Sequence, residues 1–163
     1  MSKLTQSIQR TANIGLYGSL LICILVVADH YLDKYVWVRE ITTNEYTRHL
    51  FVTIGLVLAV GTIAYTLFSM RRGAPRLRQT DGEEEKLKGY AKLISSVYYL
   101  SLAVVAIVGA IIVITNENVL IMLLMLLFVT LVLCYPNMYK IKADTGLSDD
   151  QMKELFGEKY LGN

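Results

Sequence analysis

The sequence predicts an all-α polytopic membrane protein. The expected architecture is a four-span transmembrane helical bundle, N-in/C-in, with a short amphipathic cytoplasmic helix near the C-terminus. Three observations carry this reading. First, 54% of the 163 residues are apolar, and they gather into blocks at 14–28, 50–70, 93–115 and 119–135 that contain no Asp, Glu, Lys, Arg or His. A helix that is apolar all round is buried in a large protein or sits in lipid, and a chain this short has too little other protein to bury four. Second, the blocks approach the roughly 20 helical residues that cross a hydrocarbon core about 30 Å thick. Third, the basic residues alternate between the connections, as they do when loops alternate between the two sides of a membrane.

The first span is expected at about 11–31. Lys3 and Arg10 precede it, as they would a signal peptide. The following ADHYLDKYV lacks a small-x-small cleavage pattern, so the segment is expected to remain as a span. Gly15, Ser19 and Cys23 recur every four residues along it. The second span, about 48–70, carries Gly55 and Ala59, and the third, about 92–115, carries Ala106 and Ala110 beside Gly109. Small residues let helices approach closely in lipid, so these positions are the expected helix-packing contacts. The fourth span, about 119–136, is bulky and apolar, ending near Tyr135-Pro136 with Asn137 and Lys140 beyond. Its LIMLLMLLFVTLVL does not alternate, which argues against a barrel strand. Cys23 and Cys134 form no CxxC pair and read as small apolar residues of the spans.

Orientation follows from the charges. The segment 71–91, expected as a cytoplasmic loop, holds Arg71, Arg72, Arg76, Arg78, Lys86 and Lys88. The four arginines are the expected determinants of topology and contacts to lipid headgroups. Lys140 and Lys142 follow the fourth span, whereas the connection at 116–118 carries no basic residue. Both termini are therefore expected in the cytoplasm, in a multi-pass protein of the plasma membrane (in a bacterium, the inner membrane). Tyrosines cluster towards both ends of the spans, with Trp37 on the outer side, as amphipathic rings do at the two interfaces.

Two capping boxes are expected outside the lipid. Thr80-Asp81-Gly82-Glu83 would start a helix at residue 81, with Thr80 as N-cap, although Gly82 and Gly89 also suit a flexible loop. In the tail, 137–163, Ser148 and Gln151 have the same spacing, and Leu147 and Met152 fit a hydrophobic staple around a helix at about 149–156. Met152, Leu155 and Phe156 share a face, and Gly157 can end the helix. So short a helix is marginal alone. Leu147, Met152, Leu155 and Phe156 are the candidate surface for partner docking, with the chain itself or the membrane surface as other covers.

The chemical inventory is thin. Asp29, His30, Asp33 and His49 could hold a divalent metal or relay protons at the outer boundary. The plainer reading is that they are interface residues ending the first helix. The sequence has no phosphate loop, zinc-binding spacing, or nucleophile beside a base. Coupled pumps place an ionisable group within the membrane, and none of the four apolar blocks holds an Asp, Glu, Lys, Arg or His. Span hydroxyls, among them Thr66 and Ser101, suit back-bonding to carbonyls, or a solute path. The sequence therefore predicts a non-catalytic accessory or scaffold subunit of a larger membrane complex. A small oligomeric channel or passive solute transporter is the alternative. The expected partners are the lipid bilayer and other membrane-protein subunits or further copies of the chain, with no cofactor and no nucleic acid.

Overall fold

The computed structural model describes residues 3–32 and 44–157. These form six helices: α1 (Lys3–Leu32), α2 (Glu45–Arg78), α3 (Glu83–Thr115), α4 (Asn118–Leu133), α5 (Met138–Thr145) and α6 (Asp149–Phe156). There is no strand among the described residues. Three helices, α1 to α3, are long and apolar enough to cross a membrane. The pair α4 and α5 qualifies as a further candidate, but it is bent by 77° at a short break.

The four long helices run up and down around α3, which packs on all the others. One end of the bundle is covered by α5 and α6 and is called here the capped end. The opposite, open end holds the α3–α4 turn and the start of α2. There Asn116 takes the left-handed conformation at φ 55° and donates its backbone N–H to Ile112, which lets α4 turn back at once. Arg48 and Glu117 pair at 2.6 Å across this end. Asn44 caps α2 by accepting the Tyr46 N–H at 3.0 Å.

Side chains fill two stacked clusters. Towards the open end, Cys23 and Val26 meet Ala59, Val104, Val108, Ile112, Leu120, Leu124 and Leu127. Towards the capped end, Ile8 and Ala12 meet Met70, Leu87, Tyr90, Ile94, Val97, Tyr98, Leu131 and Ile141. The second cluster continues into the tail through Leu147, Met152 and Phe156.

Small residues set the helix separations. A Cβ on Gly15 would lie 2.7 Å from the Tyr98 Cβ, and one on Gly18 2.9 Å from Leu102. Farther along, Gly109 receives Ile22 and Val26, so α1 and α3 run parallel in close contact. Ser19 and Cys23 are buried on α1 as well, and Cys23 also borders the crevice between α1 and α4. Gly55 receives Leu120 and Ile111, and Ala59 is fully buried. Ala106 and Ala110 are exposed instead, so Gly109 is the small residue that α3 turns towards α1. Their spacing matched, but the neighbouring residue faces the partner helix.

The segment 71–91 also corrects the expectation. It is almost entirely helical: α2 continues to Arg78 and α3 begins at Glu83, leaving a turn at 79–82. Pro75 lies within α2 and withholds only one N–H. Thr80 is not an N-cap; its hydroxyl donates to the Arg76 carbonyl at 3.2 Å, while Gly82, at φ 90°, precedes α3. Glu83, Glu84 and Glu85 place negative charge on the first turn, where the helix dipole favours it. At 34 residues, α2 is about 51 Å long. That exceeds a hydrocarbon core of about 30 Å, so the helices form a shaft that extends past the apolar blocks.

The fourth expected span is shortened. Its helix stops at Leu133: the Cys134 N–H still reaches the Thr130 carbonyl, but the Tyr135 N–H bonds the Val132 carbonyl at 3.1 Å, and Pro136 then disfavours helical geometry at Tyr135. The chain turns there and lays α5 across the shaft.

Candidate interaction surfaces

At the capped end, α5 and α6 are held to the shaft by directed bonds. Arg78 donates from Nε at 2.8 Å, and from Nη2, to the Ala143 carbonyl in the last turn of α5. That carbonyl lacks a full set of helical partners. The buried Tyr90 phenol donates to Asp144 at 3.1 Å, and Lys140 stands 3.8 Å from the same carboxylate. Burial first, and the Asp144 charge second, push the Tyr90 phenol well above its ordinary range. Tyr98 donates to the Leu131 carbonyl at 2.9 Å, satisfying a group left open by the early end of α4. Tyr135 donates to Asn13 at 2.6 Å and ties the bend to α1.

The tail uses its own caps. Asn137 accepts the Lys140 N–H at 2.7 Å, and Gly146, at φ 69°, ends α5 in the left-handed conformation. Ser148 and Gln151 form the reciprocal capping box of α6. Gln151 also donates to Glu83, and Lys142 pairs with Asp149 at 2.6 Å. Leu147, Met152 and Phe156 are buried and Leu155 packs partly buried against the same cluster. The face expected to receive a partner is thus covered by this chain's own shaft.

The arginines divide by role. Arg78 is the clamp just described. Arg72 stacks over Phe68 at 4.2 Å from the ring centroid, and Arg71 and Arg76 are exposed. On α3, Glu84 and Lys88 pair at 2.7 Å. Their hydrogen bond holds the Glu84 carboxyl below and the Lys88 ammonium above its ordinary range.

Several grooves open on the surface, two of them between neighbouring long helices and largely apolar. One is an apolar crevice of about 340 Å³ between α1 and α4, lined by Leu20, Ile24, Val27, Met125 and Phe128 among others. The other is a groove of about 300 Å³ between α2 and α3, where the two helices pass close together. Leu93 packs over Gly73 and Leu77 over Gly89, each within 3 Å of where a Cβ would stand. The glycine signal for this close crossing was present in RRGAPRLR and KLKGYAKL but is equally a signal for loops.

Asp29 and His30 are half-buried near the end of α1, and their Oδ1 and Nδ1 atoms have no hydrogen-bond partner among the described residues. His30 meets Tyr31 edge to face at 5.3 Å, and His49 is exposed. Asp33 lies outside the described residues. Among the described residues, no group of three or more His, Cys, Asp or Glu is placed to hold a metal ion. The hydroxyls of Ser19, Thr66 and Ser101 are buried on three different helices without partners among the described residues.

No known family, curated protein or solved structure matches this chain.

Proposed function

We propose that this protein is a non-catalytic accessory or scaffold subunit of a larger membrane protein complex. In this reading the chain crosses the bilayer four times, and the capped end with both termini is cytoplasmic. The capped end carries the arginines and lysines of 71–92 and of the tail, which supports that orientation.

The observation that carries the reading is the distribution of apolar side chains. Aliphatic residues fill the centre of the bundle, while large ones also crowd its outside. On α1, Leu21, Ile24 and Leu25 are exposed; on α4, Met122, Met125 and Leu126 are exposed. The α1–α4 crevice runs between these two faces. A second membrane helix can seat there by van der Waals packing, the force that joins helices in lipid. The tail, covered by its own shaft, is not the docking element in this arrangement.

The test is purification of tagged full-length protein in mild detergent from its native membrane. Stoichiometric co-purification of another membrane protein is expected, and Ile24→Trp with Met125→Trp should abolish it. Recovery only as a lone monomer would overturn the reading.

The buried, unpartnered hydroxyls of Ser19, Thr66 and Ser101 favour one second reading, a small oligomeric channel or passive solute transporter. Reconstituted vesicles with no flux above empty controls would remove it.

A further inference from the structure

We propose that the α2–α3 groove at the capped end is a site for one anionic phospholipid of the surrounding bilayer. The groove is lined by Gly73, Leu77, Gly89 and Leu93, with Arg76, Lys92 and Ser96 beside them. Its lining therefore carries two cations, one hydroxyl and no carboxylate. Arg76, Lys92 and Ser96 are all exposed. No ion pair engages Arg76 or Lys92 among the described residues. Lys88, one turn away, is already paired with Glu84.

The position selects the ligand. Lys92 immediately precedes the uncharged block that begins at Leu93, and Arg71 immediately follows the block that ends at Met70. The groove thus straddles the boundary between hydrocarbon and headgroups. Arg76 stands about 6 Å beyond Arg72 on the water side, and Ser96 about 6 Å beyond Lys92 on the lipid side, at 1.5 Å per residue. A phosphodiester placed between Arg76 and Lys92 would leave its acyl chains against Leu93 and the apolar shaft. Basic pockets between membrane helices at this depth attract anionic headgroups. A soluble phosphate would meet the charges but leave the leucine-lined part of the groove unused.

Full-length protein in detergent, titrated with phosphatidylglycerol or phosphatidylcholine and read by native mass spectrometry, tests the site. The wild type should retain phosphatidylglycerol selectively, and excess glycerol phosphate should not displace it. Arg76→Gln with Lys92→Gln should cut that selectivity roughly tenfold. Arg10→Gln with Lys153→Gln removes equal charge at exposed positions outside the groove and should leave it within about twofold. Lys92→Arg should retain binding. If the double groove variant does not fold, Lys92→Gln alone, at an exposed position, carries the test with a loss of about threefold or more. No selectivity in the wild type, equal losses in the groove and control variants, or displacement by glycerol phosphate would each overturn the proposal.

Discussion

The phenol of Tyr90 and the carboxylate of Asp144 meet 3.1 Å apart at the seam between the α3 shaft and the α5 tail. Tyr90 is fully buried, and the Asp144 side chain is 13% exposed, so little water competes for the bond. Tyr90→Phe should weaken attachment of the tail by about 1.5 kcal/mol, the range for a hydrogen bond to a charged group. Hydrogen exchange should then rise across 138–156 and stay unchanged in the centre of α3. Equal change in both regions would show that Tyr90 supports the whole bundle instead.

The same bond gives a pH dependence with a definite sign. The folded phenol has its pKa raised above the unfolded value, by burial and then by Asp144. The associated stability is present below an unfolded pKa of about 10 and is lost as pH rises above it. Tail attachment should therefore weaken on the alkaline side of about pH 10, and Tyr90→Phe should flatten that part of the profile. Protease cleavage in 138–157 as a function of pH is the measurement.

Docking of α6 depends on its apolar face because eight residues make a marginal helix alone. Met152→Asp should release α6, since the side chain is fully buried and a carboxylate there would have no water. Ser148→Ala should weaken the same docking by about 1 kcal/mol through loss of the cap. Limited proteolysis should cut both variants faster in 145–157, with Met152→Asp the more severe and the long helices uncut.

Glycines with and without neighbours should separate cleanly. Gly15→Ala would push a methyl against Tyr98, whose Cβ is the nearest atom at 2.7 Å, so α1 and α3 must part. The expected cost is about 1–3 kcal/mol, as for overpacking of a core. Gly61→Ala meets nothing within 4 Å and should be neutral or stabilising by up to about 1 kcal/mol. Thermal unfolding in detergent compares them, and similar shifts for both would argue against the α1–α3 contact.

The apolar blocks made the long helices legible, because lipid demands helical backbone and forbids charge over a fixed length. The α6 cap was legible because Ser148 and Gln151 satisfy local backbone groups without help from distant residues. The shaft beyond the blocks was harder to read. Leu87, Tyr90 and Ile94 have helical spacing, but Gly73, Pro75 and Gly89 are the usual marks of a loop. Only the crossing of α2 and α3, with Leu93 over Gly73 and Leu77 over Gly89, explains the glycines. Burial of α6 on its own chain depended on α5 turning after Leu133, a 77° bend that periodicity does not encode. Arg78 looked like its neighbours by charge, and its bond to Ala143 arises from that same turn.

Whether α4 crosses the bilayer can be read by cysteine labelling in sealed vesicles of known orientation, on a background with Cys23→Ala and Cys134→Ala. Single cysteines at the exposed positions Gln79, Asn118 and Lys153 report the α2–α3 turn, the start of α4 and the tail. A four-crossing bundle requires Gln79→Cys and Lys153→Cys to react with an impermeant maleimide from the cytoplasmic side, and Asn118→Cys only from the other. Reaction of Asn118→Cys and Lys153→Cys from one and the same side would contradict it.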